Sequence, residues 1–274
     1  MTNTTIVIGK NSNLSNYLID KLNNSTAVSS RDIMSDVNIL AKYKNQKINL
    51  IFNNFQPATK LNEMANAEEY IMNSIGITSK ILNHCLISNI KISKIIYTSS
   101  SSVYGNNIFS TEMDAVKPLT LYASLKVANE KMIEKFCMDN KINYTIARLF
   151  NMYGGNDKFS IISKIFSAIN NSKEITIVNN GNSIRDFIHI RDVVDIYIKL
   201  LDIEDVKIIN IGTGTGRSVK NVISFFKKYD VNISTNNILR NELKDSTANV
   251  EILNKLFNKK TFIQVEDYIK QKLS

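Results

Sequence analysis

The sequence predicts an α/β protein with a doubly wound parallel sheet, followed by a smaller lobe. Short β-branched runs alternate with helical patterns through the first half of the 274 residues, which is typical of parallel βαβ units. Hydrophobic residues make up 43% of the chain and there are only two prolines, a composition that suits a compact core. Beyond the first half the pattern becomes irregular, which indicates a second, smaller unit.

The predicted elements define the domains. Strands are expected at residues 4–8, 26–30, 48–53, 92–98, 143–149 and 207–211. Helical patterns lie at residues 14–23, 36–44, 64–90 and 121–139, and in the smaller lobe at 159–171, 217–228 and 249–257. Ligands of such sheets bind beyond the carboxyl ends of the strands. We therefore expect a cofactor-binding domain at 1–150, joined by helix 191–202 and strand 207–211, and a smaller lobe at 151–190 and 213–274.

Charge and cysteine usage exclude several functions. The net charge is +9 with a pI near 9.3, but the lysines are scattered and form no basic stripe, so no nucleic-acid partner is expected. Cys85 and Cys137 form no CxxC pair, and His84 and His189 lack ligand spacing, so we expect reduced thiols and no metal site. An apolar strand follows the first residues without a leader, and no stretch is long enough for a membrane span. The sequence therefore predicts a cytoplasmic protein without membrane contact.

The turn after the first predicted strand indicates a dinucleotide site. Dinucleotide-binding folds carry three glycines here, for the tight turn, the approach of the pyrophosphate and helix packing. Gly9 is present, whereas Ser12 and Ser15 stand where the other two would be. Serine is the smallest replacement, and its hydroxyl could itself bond a phosphate. The predicted cofactor contacts in this turn are Gly9, Asn11, Ser12, Asn13 and Leu14; an ordinary strand–helix turn is the alternative.

The end of the second predicted strand bears on the choice of cofactor. An acidic residue there bonds the ribose diol of NAD, whereas an arginine suits the 2′-phosphate of NADP. The segment offers Ser30 and Arg31, and no carboxylate precedes Asp32. Arg31 can pair with a phosphate and Ser30 can donate to it. NADP(H) is therefore the preferred cofactor, with NAD(H) possible, and a solvated surface arginine is the alternative explanation.

A serine, a tyrosine and a lysine form the predicted catalytic group. Ser100 lies in a serine run at a strand end, and Tyr122 and Lys126 share a helix face because they are four residues apart. Tyrosine is a poor acid–base catalyst at neutral pH, and an adjacent ammonium favours its phenolate. Tyr-x-x-x-Lys alone occurs by chance on helices, as a surface pair. The order of the serine run, Val-Tyr-Gly and then Tyr-x-x-x-Lys makes this pattern specific.

These motifs resemble the NAD-dependent epimerase/dehydratase branch of the extended short-chain dehydrogenases over nearly the whole chain. The family's serine, Val-Tyr-Gly and Tyr-x-x-x-Lys are matched at Ser100, 103–105, Tyr122 and Lys126. Four further motifs agree, namely Asn-x-x-Gly at 73–76, Arg-x-x-Asn-x-Tyr-Gly at 148–154, Arg-Asp-Phe-x-x-x-x-Asp-Val at 185–193 and Asn-Ile-Gly-Thr-Gly at 210–214. The resemblance implies a Rossmann-type sheet with a small C-terminal lobe that binds a nucleotide-diphosphate sugar.

The resemblance also assigns binding residues. Asn151 would face the nucleotide sugar, Arg185 would contact its phosphate, and Arg240 falls where the family has another nucleotide-binding arginine. Ser100 and Ser101 are further candidates for substrate contacts. The cofactor contacts expected from the fold also include Asn53, Asn73, Thr98, Tyr122 and Lys126. Without the resemblance, Asn151 would be a turn cap, Arg185 part of a solvated ion pair and Arg240 a surface arginine. A homodimer through helices 64–90 and 121–139 is implied by the family alone.

The residues after Ser100 narrow the reaction. The 4,6-dehydratases carry Asp-Glu there, and GDP-fucose synthases carry a cysteine at the second position, whereas this chain has Ser101 and Ser102. A hydroxyl cannot replace a carboxylate in acid–base work. One remaining candidate is an NADPH-dependent 4-ketoreductase of a 4-keto-6-deoxy nucleotide sugar. In it Tyr122 donates the proton, Ser100 bonds the carbonyl, and Lys126 bonds the nicotinamide ribose and tunes Tyr122.

Two alternatives stay open. The first is a 4-epimerase with tightly bound NAD, in which the same residues oxidise C4 and then reduce it from the other face. The apparent NADP preference, the altered glycine turn and a Gly9-Lys10 opening similar to that of dTDP-4-dehydrorhamnose reductases favour the reductase. The second is a non-catalytic relative that binds the cofactor without turnover, which the intact Ser100, Tyr122 and Lys126 oppose.

Overall fold

A computed structural model describes residues 3–53, 66–258 and 261–274 and divides the chain into two compact units. Unit 1 comprises Met1–Val103, Val116–Arg148 and Val194–Ile209, and unit 2 comprises Tyr104–Ala115, Leu149–Val193 and Asn210–Ser274. Residues 104–115, which the sequence-based boundary leaves in the first domain, thus pack with the second unit. The assignment of cofactor and sugar to separate units remains a prediction.

The strands and helices follow in chain order. The strands are β1 (Thr4–Ile8), β2 (Ser25–Val28), β3 (Lys47–Phe52), β4 (Lys91–Ser100), β5 (Asn143–Leu149), β6 (Asn151–Tyr153), β7 (Ile175–Val178), β8 (Ile184–His189), β9 (Ile208–Ile211), β10 (Gly216–Ser218), β11 (Thr235–Ile238) and β12 (Asp245–Ser246). The helices are α1 (Asn13–Lys21), α2 (Ser30–Ser35), α3 (Ala67–Ile71), α4 (Ile77–Ile87), α5 (Leu121–Asn140), α6 (Ile161–Asn170), α7 (Ile190–Leu200), α8 (Val219–Lys227), α9 (Glu251–Phe257) and α10 (Val265–Leu273).

The central sheet confirms the predicted fold class. Its strand order is β2-β1-β3-β4-β5-β9, and the pairs β1–β2, β1–β3 and β3–β4 are parallel. The chain crosses over between β2 and β3, so the order reverses next to β1, as in doubly wound folds. This topology brings the carboxyl ends of β1, β3 and β4 to one edge, where the predicted cofactor and catalytic residues follow.

Each unit has its own apolar core. The core of unit 1 packs strand residues such as Ile6, Leu50 and Ile95 against helix residues such as Ile81 and Ile133. Burying one such side chain contributes about 1.5–3 kcal/mol, which holds the strand ends that carry the polar residues. The core of unit 2 is built separately, from residues that include Tyr153, Ile162, Phe187, Phe226 and Ile269.

Three of the differences between predicted and observed elements of unit 1 have a clear local description. The strand expected at 26–30 ends at Val28, because the Ser29 hydroxyl caps the backbone N–H groups of Arg31 and Asp32 and starts α2. The helix expected at 36–44 is a 3₁₀ helix over Val37–Tyr43, capped by the Asp36 carboxylate. The helix expected at 64–90 starts outside the described residues and contains a wide π turn at Met72–Gly76 between α3 and α4.

The smaller unit contains elements that the sequence did not predict. Helices α6, α8 and α9 lie close to the expected segments, but α10 and most strands of unit 2 were missed. Most of the missed strands have two to four residues, too few for a period-two pattern to show, and the six residues of β8 do not alternate between apolar and polar. Strand β8 pairs with β10, β12 and β6, which holds together a small sheet of this unit.

Candidate active site

The predicted catalytic residues come together in unit 1. Strand β4 ends at Ser100, and α5 begins at Leu121, where the Thr120 hydroxyl caps the helix by accepting the Ala123 N–H at 3.2 Å. Tyr122 therefore lies in the first turn of α5, and Lys126 follows one turn later. The side chains of Tyr122 and Ser100 are hydrogen-bonded. The structure thus brings Ser100, Tyr122 and Lys126 to one place, as the motif predicts.

The ammonium of Lys126 is buried among aromatic rings. Its Nζ donates to the Thr98 carbonyl at 2.7 Å. The same Nζ lies 5.1 Å from the ring centroid of Tyr97 and 5.7 Å from that of Tyr122, within the range of cation–π attraction. Burial lowers the pKa of Lys126 to about 8, and the Glu130 carboxylate acts in the opposite direction. Lys126 can therefore change its charge close to neutral pH.

Burial raises the pKa of Tyr122, and the hydrogen bond from Ser100 acts against this increase. The phenol of Tyr122 is therefore protonated at neutral pH in the free protein. A proton donor is what the reduction of a ketone requires, and a nearby Lys126 charge stabilises the phenolate that results. The pair can serve as acid and, in the reverse direction, as base.

A buried ion pair supports this group and was missed by the sequence analysis. Arg148 Nη2 lies 2.8 Å from Glu130 Oε2 and its Nε 3.2 Å from Oε1, and each side chain is 4% exposed. The Ser99 hydroxyl also donates to Glu130. These contacts join β4, α5 and β5 directly behind Ser100 and Lys126. The available signal was spacing, since Glu130 follows Lys126 by four residues on the same helix face.

The turn after β1 is held by hydrogen bonds among its serines and with Asn53, which follows β3. Gly9 has a φ of +108°, which favours glycine, and Ser12 caps α1 by accepting the Ser15 N–H at 3.1 Å. The Asn53 amide at the end of β3 donates to the Ser12 hydroxyl at 2.7 Å and to the Ser15 hydroxyl at 2.9 Å. The two hydroxyls are 2.8 Å apart, with Ser12 donating to Ser15. Serines and asparagine therefore hold the shape that glycines usually permit.

This network occupies the hydroxyl of Ser12. A hydroxyl has one proton and two lone pairs, and those of Ser12 are used by Ser15 and Asn53. Its backbone N–H donates to the Gly9 carbonyl at 3.0 Å. The Ser12 hydroxyl therefore shapes the turn, and its predicted bond to a phosphate stays a prediction that would require one of these contacts to be exchanged. The turn still fits a pyrophosphate, because α1 begins directly after it at Asn13, and first-turn N–H groups bind anions.

The other predicted cofactor residues of unit 1 differ in their exposure and in their hydrogen-bond partners. Asn11 is exposed and the Leu14 side chain is fully buried, so Leu14 can offer only its backbone. Ser30 and Arg31 lie in the first turn of α2, and Arg31 is exposed. Thr98 is buried; its carbonyl accepts from Lys126 and its hydroxyl accepts from Tyr197 at 2.9 Å. Asn73 lies in the π turn, with Nδ2 3.4 Å from a Glu69 carboxylate oxygen.

The predicted sugar-binding residues of unit 2 have protein partners. Arg185 pairs with Glu242 at 3.0 Å and donates to the Leu243 carbonyl at 2.8 Å, so its guanidinium is already oriented. Asn151 donates to the Asp186 carbonyl at 3.3 Å. Arg240 is exposed, and Asn179 holds its backbone through the Arg240 carbonyl at 2.7 Å and the Arg240 N–H at 3.2 Å. Their contacts with a ligand remain predictions.

Asp186 fixes the strand-to-loop junctions of unit 2. Its buried carboxylate accepts the N–H groups of Thr213, Gly214 and Ala248 at 2.8, 2.9 and 3.2 Å, as well as the Thr213 hydroxyl at 2.6 Å. Burial raises the pKa of Asp186, and these donors oppose the increase. The carboxylate therefore keeps the Asn-Ile-Gly-Thr-Gly segment in place, and has a structural function.

Two further features of the described residues concern metals and membranes. Within 3–53, 66–258 and 261–274, no group of three or more His, Cys, Asp or Glu side chains could hold a metal ion. In the same parts of the chain, no helix is long and apolar enough to cross a membrane.

The comparison with known protein families shows to which family these motifs belong. The profile of the NAD dependent epimerase/dehydratase family matches residues 4–212, which is most of the chain. The chain belongs to this family. The resemblance drawn from the motifs is therefore confirmed, and the match includes both the glycine turn and the Tyr-x-x-x-Lys helix.

Relatives within the epimerase/dehydratase family are moderately similar. An ADP-L-glycero-D-manno-heptose-6-epimerase of Brachyspira hyodysenteriae is 30% identical over 195 residues, covering 67% of this chain and 60% of the relative. Protein CapI of Staphylococcus aureus is 37% identical over 115 residues, covering 40% of this chain and 34% of the relative. The chain thus spans less than two thirds of the length of these curated relatives.

A solved structure shows the same fold over the whole chain. MoeE5 in complex with UDP-glucuronic acid and NAD superposes with a TM-score of 0.88 at 21% identity, covering 99% of this chain and 98% of that one. At this identity the likeness establishes the fold. The family's fold class is thereby confirmed for both halves of the chain.

Proposed function

We propose that the protein epimerises a nucleotide-diphosphate sugar at C4 by oxidising the C4 hydroxyl and reducing the resulting ketone from the other face. The observation that carries this proposal is the grouping of Ser100, Tyr122 and Lys126, with hydroxyls and no carboxylates at Ser101 and Ser102. In its phenolate form, which the Lys126 charge stabilises, Tyr122 Oη accepts the proton of the C4 hydroxyl, and it returns this proton to the same oxygen after the ketone has rotated to present its other face.

Each of the three residues has a separate task at the reacting oxygen. Ser100 donates a hydrogen bond to the C4 oxygen, which stabilises the negative charge that develops there during reduction. Tyr122 transfers the proton, and Lys126 lowers the free energy of the phenolate form. Because Lys126 is anchored to the Thr98 carbonyl at 2.7 Å, its charge stays next to Tyr122 throughout the cycle. These tasks are the same in oxidation and reduction, as reversibility requires.

The cofactor would be held at the edge of the sheet that carries β1 and β2. The backbone at Gly9 and the start of α1 at Asn13 and Leu14 would hold the pyrophosphate, and Lys126 would bond the nicotinamide ribose. When bound, a nicotinamide dinucleotide supplies the hydride acceptor and donor at C4. The hydrogen-bonded turn around Ser12 orders the pyrophosphate site before any cofactor arrives.

Epimerisation is placed before 4-ketoreduction for two reasons. An altered glycine turn that loosens the cofactor would favour the reductase, which releases its cofactor after each cycle. That argument loses its support, since Asn53 fixes Ser12 and Ser15 at 2.7 and 2.9 Å. In addition, a relative that aligns with 67% of the chain is named a heptose-6-epimerase, which supports epimerisation as the class of reaction but at a different carbon.

The 4-ketoreductase remains the second candidate because of Arg31. This arginine is exposed in the first turn of α2, directly after β2, and no carboxylate precedes it on that strand. Such an arginine suits the 2′-phosphate of NADP, the cofactor of biosynthetic reduction. The reductase would use Tyr122 as proton donor to the C4 oxygen of a 4-keto-6-deoxy nucleotide sugar, with Ser100 bonding the carbonyl.

Unit 2 is proposed to recognise the nucleotide. Arg185 presents a guanidinium oriented by Glu242 and Leu243, which suits a diphosphate. Asn151 and Arg240 are proposed as additional contacts. The preformed arrangement of Arg185 reduces the entropy lost on binding.

The experiment that separates the two candidates uses one set of substrates with two cofactors. The protein is incubated with NAD or NADP and with UDP-glucose or UDP-glucuronic acid, and the products are separated by chromatography. In parallel it receives NADPH and 4-keto-6-deoxy nucleotide sugars while the absorbance of reduced nicotinamide is followed. Epimer formation without net nicotinamide consumption supports the first proposal, and stoichiometric NADPH consumption supports the second. Cofactor binding without either reaction would leave the non-catalytic relative.

The variant Arg31→Ala tests the cofactor assignment. We expect it to weaken NADPH binding about 10-fold or more, the value of a charge-assisted phosphate contact, with little change for NADH. Fluorescence titration of both cofactors measures the ratio. Equal losses for the two would refute a 2′-phosphate contact.

The oligomeric state is proposed to be a homodimer. Ile71 and Met72 on the helix that precedes α4 are 43% and 47% exposed, and Met138 near the end of α5 is 66% exposed. These helices are the ones expected at the dimer contact, and a second copy would cover such side chains. Light scattering of the purified chain, with Met72→Glu as the disrupted variant, distinguishes a dimer from a monomer.

A further inference from the structure

Ser102 contacts the catalytic serine within unit 1. A 3₁₀ turn over Ser101–Tyr104 follows β4 and folds the chain back over its last residue. As a result, the Ser102 hydroxyl oxygen lies 3.0 Å from Ser100 Oγ, and the Ser102 backbone nitrogen lies 3.2 Å from the same atom. Ser102 thus approaches Ser100 with two donors, its N–H and its O–H.

The contact with Ser102 determines where the hydroxyl proton of Ser100 can point. A serine hydroxyl offers one proton and two lone pairs. Both lone pairs of Ser100 are engaged when Ser102 donates its N–H and its O–H to them. The single proton of Ser100 must then point elsewhere, and the hydrogen bond with Tyr122 gives its direction.

We propose that Ser102 is a positioning residue, which fills both acceptor sites of Ser100 and thereby fixes the Ser100 proton toward Tyr122 Oη and the substrate oxygen. This inference rests on the proposed function, because it concerns how the reacting oxygen is held. Ser102 does not touch the sugar in this role. Its hydroxyl is committed to Ser100 and leaves no group at this position for proton transfer at a neighbouring carbon.

The arrangement has a chemical purpose in both directions of the reaction. Ser100 must always donate, first to the phenolate of Tyr122 and then to the developing oxyanion at C4. A hydroxyl that could rotate would spend part of its time as an acceptor, and each such orientation leaves the oxyanion without a donor. Because Ser102 fixes the orientation of the Ser100 hydroxyl before the reaction, the oxyanion always meets a donor, as in other preorganised oxyanion sites.

Crystal structures of the free protein and of Ser102→Ala provide a test that needs no turnover. We expect Ser100 Oγ to keep its position in the wild type and to rotate or divide between rotamers in Ser102→Ala, with loss of the contact to Tyr122. The variant Ser102→Thr keeps the hydroxyl and should restore the wild-type position. An unchanged Ser100 in Ser102→Ala would overturn the proposal.

Kinetics test the consequence for catalysis. Tyr122 acts as the base during oxidation, so kcat should rise with pH through its pKa. Losing the Ser102 hydroxyl weakens the Ser100 bond that lowers this pKa, so Ser102→Ala should move the rise to higher pH by about half to one unit. Below that rise kcat should fall about 3- to 10-fold with KM unchanged, the usual value of one hydrogen bond.

A double-variant comparison separates positioning from damage. In a Ser100→Ala background, Ser102→Ala should have no further effect on kcat or its pH dependence, since the hydroxyl it orients is gone. Ser124→Ala removes an exposed hydroxyl of α5 two residues from Tyr122 and is the matched control, with wild-type kinetics. Full additivity of the Ser100 and Ser102 effects would overturn the proposal.

The proposed function and the positioning role of Ser102 can be refuted separately. If no nucleotide sugar is turned over by the wild type, the proposed function fails, and the crystal structures still decide whether Ser102 orients Ser100. If the wild type is active and Ser102→Ala matches it in structure and pH profile, the positioning role fails and the function stands.

Discussion

Two serine clusters lie at the carboxyl edge of the same sheet, and they are used in opposite ways. In the β1 turn, Ser12 and Ser15 bond each other and Asn53, so their polar groups face into the protein. After β4, Ser102 directs the hydroxyl of Ser100 toward Tyr122. In the first cluster the serine hydroxyls bond within the protein, although Asn53 Oδ1 is buried there without a hydrogen-bond partner, whereas the second cluster retains a directed proton for chemistry.

The difference shows that a serine's role depends on where its proton goes. Ser15 is fully buried and would be costly if left without partners, so the turn needs Asn53. Ser100 is half-buried and sits beside a titratable phenol, so its proton has a functional acceptor. We therefore expect changes in the first cluster to affect stability and cofactor binding, and changes in the second to affect turnover.

The largest effect is expected for Tyr122→Phe. Removing the phenolic hydroxyl takes away the proton donor and acceptor, so turnover of a nucleotide sugar should fall about 100- to 10,000-fold. Binding of NAD or NADP, followed by fluorescence titration, should be nearly unchanged. Retained turnover would remove Tyr122 from its role, and lost cofactor binding would indicate that the variant disturbs the cluster as a whole.

The second effect concerns the ion pair behind the catalytic cluster. Glu130→Ala leaves the Arg148 charge buried without its partner, so the free energy of unfolding should fall by about 3–5 kcal/mol. Urea unfolding measures this loss. Asp139→Ala breaks an exposed pair with Lys135 on the same helix and should cost no more than about 1 kcal/mol. Similar losses for both variants would contradict a special role of the buried pair.

The third prediction addresses the β1 turn. Asn53→Ala removes the donor shared by Ser12 and Ser15 and should cost about 1–3 kcal/mol, with weaker cofactor binding and a Tyr122 environment that is unchanged. In a Ser12→Gly, Ser15→Gly background, Asn53→Ala should cost much less, because no buried hydroxyl loses a partner. Equal costs in both backgrounds would show that Asn53 acts independently of the serines.

The smallest effect is expected for Lys94, a buried lysine of β4 that has no part in the proposed catalysis. Burial lowers the pKa of Lys94 to about 8 from an ordinary 10.5, so protonated Lys94 costs stability, and the cost disappears as pH rises from about 8 to 10.5. Lys94→Met should therefore reduce the increase in stability over this interval. Unfolding in denaturant at pH 7, 8, 9 and 10 measures the slope. Turnover should not change, and an unchanged slope would contradict the burial of this charge.

The fold and the catalytic group were predictable because their signals are local. Tyr122 and Lys126 are four residues apart on one helix, and Ser100 ends a strand with a clear apolar pattern. Asn53 and Glu130 were harder to place. Asn53 acts on residues about forty positions earlier, so its role depends on the sheet order, which periodicity does not give.

The smaller unit was the least predictable part for a related reason. Most of its strands are too short to carry a pattern, and β8 does not alternate between apolar and polar residues. Asp186 joins Thr213, Gly214 and Ala248 from distant parts of the sequence. Arg185 was found through the family motif, but its partner Glu242 lies in a segment without any recognisable pattern. Contacts between distant segments determine both arrangements, and only the folded chain reveals them.

The hydrogen-bonded turn also constrains how this sequence can change over generations. Restoring a glycine at position 12 or 15 alone would leave one hydrogen of the Asn53 amide without its acceptor, while replacing Asn53 alone would strand both hydroxyls. Each single step toward the three-glycine form is therefore less stable than either end of the path. We therefore expect substitutions at the three positions to be coupled, because each depends on the other two for its hydrogen bonds.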